Sequence, residues 1–141
     1  MPGEFAGGSF DVTNLRAIEI EELTGAPVVS NIIDAGENFH LQATFTGAGV
    51  LWQNLTGCRY VARFYAEGMG VGVPNHDLGM TTGPVTGAAT YTVNSPNHSI
   101  ANEGIYRCGV TVTFQQSTGV PFYGVLGFNE DCVIQVSPSE E

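Results

Sequence analysis

From Tyr106 to Phe114 every second residue is apolar: Tyr106, Cys108, Val110, Val112 and Phe114 alternate with Arg107, Gly109, Thr111 and Thr113. A period of two puts successive side chains on opposite faces of an extended strand and cannot line one face of a helix. The device recurs. In GENFHLQATFTG, Phe39, Leu41, Ala43 and Phe45 fall on one face and His40, Gln42 and Thr44 on the other. In CRYVARFYAEG, Cys58, Tyr60, Ala62, Phe64 and Ala66 share a face, opposite Arg59, Val61, Arg63, Tyr65 and Glu67. LRAIEIEEL sets Ile18 and Ile20 against Glu19 and Glu21, with a short helix over 15–23 as the rival reading. PVVSNIID follows a Gly-Ala-Pro turn, and ATYTVN is a short strand. PFYGVLGFNEDCVIQV pairs with the Tyr106 strand as a hairpin across QQSTGVP, with a bulge near Gly127. The stretch 68–87 reads as loop. About seven to nine strands and no long helix are predicted.

A chain of 141 residues is the size of one domain and buries roughly 70% of the surface that its unfolded form exposes. Hydrophobic residues make up 43% and charged residues 13%, which suits a folded protein. The expected organisation is a single domain over 1–141, with 1–14 as a flexible arm. Fourteen acidic residues face four arginines and no lysine, a net charge of −10. Such a surface repels phosphate, so nucleic acids are excluded as partners, and anionic membranes are disfavoured for the same reason. No apolar run approaches the ~18 residues of a membrane-spanning helix. MPGEFAGGSF has neither the basic region nor the apolar core of a signal peptide. The acidic, lysine-free composition suits an extracellular or surface-exposed setting.

The strands in this order resemble an immunoglobulin-like β-sandwich. GENFHLQATFTG resembles that fold's second strand, with Ala43 where a true immunoglobulin has its first cysteine. NEGIYRCGV resembles the sixth, with Asn102, Gly104, Tyr106 and Cys108 at the spacing of the family's Asp, Gly, Tyr and Cys. The resemblance implies an all-β, two-sheet antiparallel sandwich in which Tyr106 forms a tyrosine corner. Alanine at 43 removes the inter-sheet disulfide of antibody domains, and Trp52 stands closer to position 43 than that fold's core tryptophan does.

Three cysteines allow at most one internal disulfide, and Cys108 and Cys132, on strands of one hairpin, are its candidate partners. The other readings of Cys108 are a reduced core thiol and a nucleophile, for which no histidine stands as base. The copper loop of cupredoxins is missing, and His40, His76 and His98 are too scattered for zinc. Asn75-His76-Asp77 reads first as turn chemistry. No nucleophile elbow, phosphate loop or metalloprotease motif appears, so neither catalysis nor a cofactor is expected. Asn54-Leu-Thr and Asn97-His-Ser are glycosylation acceptors in a eukaryotic secretory setting.

The expectation is therefore a non-catalytic protein-binding or self-assembling module. Outward Tyr65 and Tyr123 would anchor contacts, and an arm carrying Phe5 and Phe10 would lie along a neighbouring sheet edge, or close the first strand of its own domain. Two rival functions are a carbohydrate-binding module that stacks sugars on Trp52 and loop tyrosines, and a loop-borne enzyme built on His76 and Asp77.

Overall fold

In the computed structural model, which describes residues 3–5, 8–20, 25–116 and 121–138, the alternating segments become paired strands. They are β1 (Gly3–Phe5), β2 (Gly8–Ile20), β3 (Pro27–Val29), β4 (Ile32–Asp34), β5 (His40–Gly49), β6 (Arg59–Met69), β7 (His76–Pro84), β8 (Thr90–Asn94), β9 (Gly104–Gln115) and β10 (Pro121–Ser137). One short helix, α1 (Val50–Asn54), follows β5. The first sheet runs β1-β2-β5-β8, with β3 also on β2; the second runs β4-β10-β9-β6-β7. All pairings are antiparallel except that of β4 with β10. The chain changes sheets between β3 and β4, where the Ser30 hydroxyl bonds both backbone groups of Ile32.

The two sheets enclose one core, and the inward residues of β5, β6 and β9 are those that the alternation selects. Tyr106 is fully buried, and its hydroxyl donates to the Asn102 carbonyl at 2.7 Å. That is the tyrosine corner. The fold is an immunoglobulin-like β-sandwich.

Two bulges reverse the facing of their strands. Phe10 and Val12 point into the core before Asn14; Leu15 and Ala17 do so after it. Between them the β2–β5 register slips from Thr13 to Arg16, and Asn14 adopts φ 54, a left-handed conformation that Asn tolerates. The segment is a strand rather than the rival helix, but Ala17, not Ile18, joins the core cluster. In β10, Asn129 is inward before a second slip and Cys132, Ile134 and Val136 after it. A further irregularity between Phe122 and Gly127 matches the bulge expected there. Asn129 serves both sheets: Nδ2 donates to the Val12 carbonyl at 2.9 Å, and Oδ1 accepts from the Asp131 N–H at 2.8 Å.

Several expectations are corrected. Residues 8–13 are not a free arm, since they pair with Thr44–Gly49 of their own sheet. Phe10 is 0% exposed, wedged against Gly127, where a Cβ would lie 2.3 Å from its ring. The stretch 68–87 contains the nine-residue strand β7. As an edge strand paired only through β6, β7 needs no continuous apolar signature, and its glycines and threonines hid it. Ten strands are described, more than the seven to nine expected, the difference being three-residue pieces.

Candidate interaction face

Burial removes the first binding candidates from the surface. Trp52, on α1, is 2% exposed; its indole lies on Gly47, where a Cβ would sit 2.0 Å away, and Nε1 donates to the Ala88 carbonyl. Its ring joins Phe10, Phe45, Tyr91 and Phe114 in one aromatic cluster, with centroids 5.1–6.1 Å apart. A ring so enclosed offers no platform to a sugar. Phe10, buried in the same cluster, cannot touch a partner. The side chains of Phe5 and Tyr123 lie outside the described residues.

The loop-enzyme candidates are braces. Asn75 Oδ1 accepts from Gly68 N–H and Asp77 Oδ1 from Gly79 N–H, both at 2.9 Å, which is turn chemistry. His76 and Asp77 are consecutive on β7 and therefore face opposite sides. His76 turns inward, edge-on to Tyr106 at 5.6 Å, with Nε2 buried and unpartnered.

Cys108 and Cys132 are register partners across β9 and β10, and both are buried. They are unbridged. The structure thus brings the expected pair together as thiols, not as a disulfide. A hydrogen bond to Cys132, reinforced by burial, pushes the Cys108 thiol far above its ordinary range, the reverse of nucleophile activation. Cys58 is half-buried. Under native conditions iodoacetamide is therefore expected to modify Cys58 alone, and all three cysteines once the chain is unfolded. Intact mass would show one adduct, then three; rapid native labelling of Cys108 or Cys132 would contradict their burial.

What remains on the surface is concentrated. Among the described residues, six of the ten exposed large hydrophobic side chains (Ile32, Met69, Met80, Ile105, Phe128 and Val133) lie on the outer face of the second sheet. Each alternates with an inward neighbour, and the registers set them in rows. The first row crosses four strands as Ile32, Gln135, Ile105 and Met69; the next is Val133, Arg107 and Glu67. Two rows further, Phe128, Thr111, Arg63 and Met80 cross β10, β9, β6 and β7. A shallow cavity of about 160 Å³ lies among Arg63, Asp77, Gly79 and Met80.

Between these rows Tyr65 lies across Gly109, where a Cβ would meet its ring at 2.3 Å. Its hydroxyl donates to Glu130 at 2.7 Å. Tyr65 is thus half-covered and already bonded, less free as an anchor than expected. Desolvation first, then the Glu130 carboxylate, raises its ionisation well above the usual tyrosine range; desolvation also raises that of Tyr60 and Tyr106. Below about pH 10 both folded and unfolded chains keep these protons; above it the unfolded chain releases them first, so stability falls. Urea titrations followed by circular dichroism should show a lower midpoint at about pH 11 than at about pH 8, and a smaller difference in Tyr65→Phe.

Arg59, Arg63 and Arg107, three of the four cations in the chain, point from this face, set against Glu67, Asp77 and Glu130. Arg59 bonds Thr82; Arg63 and Arg107 have no hydrogen-bond or ion-pair partner among the described residues. The opposite sheet presents a different surface, in which Thr44–Thr92, Thr46–Thr90, Gln42–Asn94 and Arg16–Gln42 satisfy one another across the strands. Sequence reasoning passed over the apolar rows, although Ile105 and Val133 mark them: each stands at an outward position where the alternation calls for a polar residue.

No protein-family profile matches the sequence, and no curated protein matches it. Among solved structures the chain is similar to a CARDB domain from Pyrococcus furiosus determined in complex with di-metal ions, with a TM-score of 0.47 and 9% identity over 96% of this chain and 99% of that one.

Proposed function

We propose that the protein is a non-catalytic binding module, and that it works by presenting the outer face of its second sheet to another protein surface. The observation that supports this reading is that, among the described residues, most exposed large hydrophobic side chains gather on one face, with Arg63 and Arg107 unpartnered beside them. Scattered apolar residues need no explanation on a soluble surface, whereas contiguous ones rimmed by charge mark interaction sites. Aromatic residues, Met and Arg are also the types enriched at protein interfaces. An extracellular or surface assembly suits the acidic composition. The rival functions lose their residues: Trp52 is in the core, and His76 and Asp77 do not converge.

A photoreactive benzoylphenylalanine placed at Ile105, or at Thr92 on the opposite sheet, separates the two faces. Irradiation in cells that produce the protein is expected to give adducts of discrete mass from position 105 and none from 92. Adducts from 92 alone, or from neither position, would count against the assignment.

A further inference from the structure

We propose that the partner of this face is a second copy of the same chain, related by a two-fold axis that runs parallel to the strands along the boundary between β6 and β9. The inference rests on the reading of that face as the binding surface. Face-to-face packing by a two-fold requires the axis to lie in the interface plane, and an isologous contact requires the patch to complement itself. An axis along the β6/β9 boundary carries each residue of β9 over its register partner on β6 of the second copy, and each residue of β10 over β7.

The observed registers then make a prediction row by row. Ile105 and Met69 are register partners, so Ile105 lies over Met69 of the second copy and the apolar end closes on itself. Arg107 and Glu67 are register partners that form no ion pair among the described residues, so each lies over its opposite charge. Phe128 and Met80 flank the same row from β10 and β7, so phenylalanine lies over methionine. Three of the rows thus pair apolar with apolar or positive with negative; the Tyr65 row between them sets Asp77 over Glu130, whose carboxylate already accepts from Tyr65.

Charge favours a copy over a foreign partner, and the area suffices for a dimer. The chain carries a net charge of −10, yet this face gathers three of its four cations beside a similar number of carboxylates. It is therefore the region where two strongly acidic molecules approach with the least repulsion, the remaining charge being screened over about 8 Å at physiological salt. The four strands that the axis superposes, β10, β9, β6 and β7, spaced about 4.8 Å apart and some 30 Å long, give a footprint on the order of 600 Å². A standard interface buries ~800 Å² per partner. A two-fold parallel to the strands keeps the two sheets aligned, and the pairings are closest beside the axis, where Ile105, Met69, Arg107 and Glu67 stand.

The test uses opposite charge variants of the full chain, followed by sedimentation equilibrium from about 1 µM to about 500 µM. The wild type is expected to dimerise within this range. Glu67→Arg alone sets arginine against arginine, and Arg107→Glu alone sets carboxylate against carboxylate, so each should weaken the dimer roughly tenfold or more. Mixed in equal amounts, the two variants restore both charge pairs between unlike chains and should dimerise about as well as the wild type. Circular dichroism confirms that each variant is folded. A wild type that stays monomeric throughout, or a mixture no better than its components, overturns the two-fold. If position 105 still yields adducts whose mass is not twice that of the chain, self-pairing fails while the binding face stands; with no adducts, both fail.

Discussion

Phe10→Ala is expected to destabilise the protein by about 3–5 kcal/mol, the usual cost of deleting a buried phenylalanine. Phe10 is wholly buried among Phe45, Trp52 and Phe114 at centroid distances of 5.3–5.6 Å, and its ring fills the space left by Gly127. Truncation would leave a cavity between the sheets that neither glycine nor the stiff aromatic cluster can fill. Against a total stability of ~5–15 kcal/mol the loss is large. It should appear as a fall in the urea midpoint with an unchanged slope. Deleting residues 1–12 removes Val12 as well and should abolish cooperative unfolding. A change below about 1 kcal/mol for Phe10→Ala would mean that the segment is the free arm its glycine-rich composition suggests.

Asn129→Ala is the second large effect, about 2–3 kcal/mol. Its side-chain amide is buried and bonds Val12 across the sandwich and Asp131 within the β10 bulge. Alanine leaves a buried carbonyl and an N–H without partners, and burying polar groups unpaired is costlier than never making the bond. Asn129→Asp should be nearly as damaging, because a carboxylate accepts from Asp131 but cannot donate to Val12. Urea denaturation of the two variants checks this, and a neutral Asn129→Asp would show that the Val12 bond contributes little.

These residues also mark where the sequence could be read and where it could not. The strands β5, β6 and β9 keep an unbroken period of two, so their inward faces could be assigned residue by residue, and the Asn102–Tyr106 spacing anticipated the tyrosine corner. β2 and β10 each contain a bulge, and one extra residue moves every later side chain to the other face. Local composition carries little trace of such a slip: Asn14 is one asparagine among several, and Asn129 resembles a turn former beside Glu130 and Asp131. β7 was unreadable because an edge strand tolerates Gly and Thr. Trp52 looked like a surface platform because a lone tryptophan in a glycine-rich stretch does not reveal that Gly47 makes room for it beneath.

The outer face of the second sheet was half legible. Its charges stood out in the alternation of β6, but its apolar rows arise only when β4, β10, β9 and β6 are brought into register. No single strand shows more than one or two of the residues concerned.

Hydroxyl-radical footprinting reads the covering of this face by a second copy, because Met69 and Met80 are readily oxidised and stand in different rows of the face. His40, on the first sheet, serves as reference. With samples at about 5 µM and about 500 µM, oxidation of both methionines is expected to slow at the higher concentration while that of His40 does not change. Equal oxidation of Met69 and Met80 at the two concentrations, or protection of His40 instead, would contradict it.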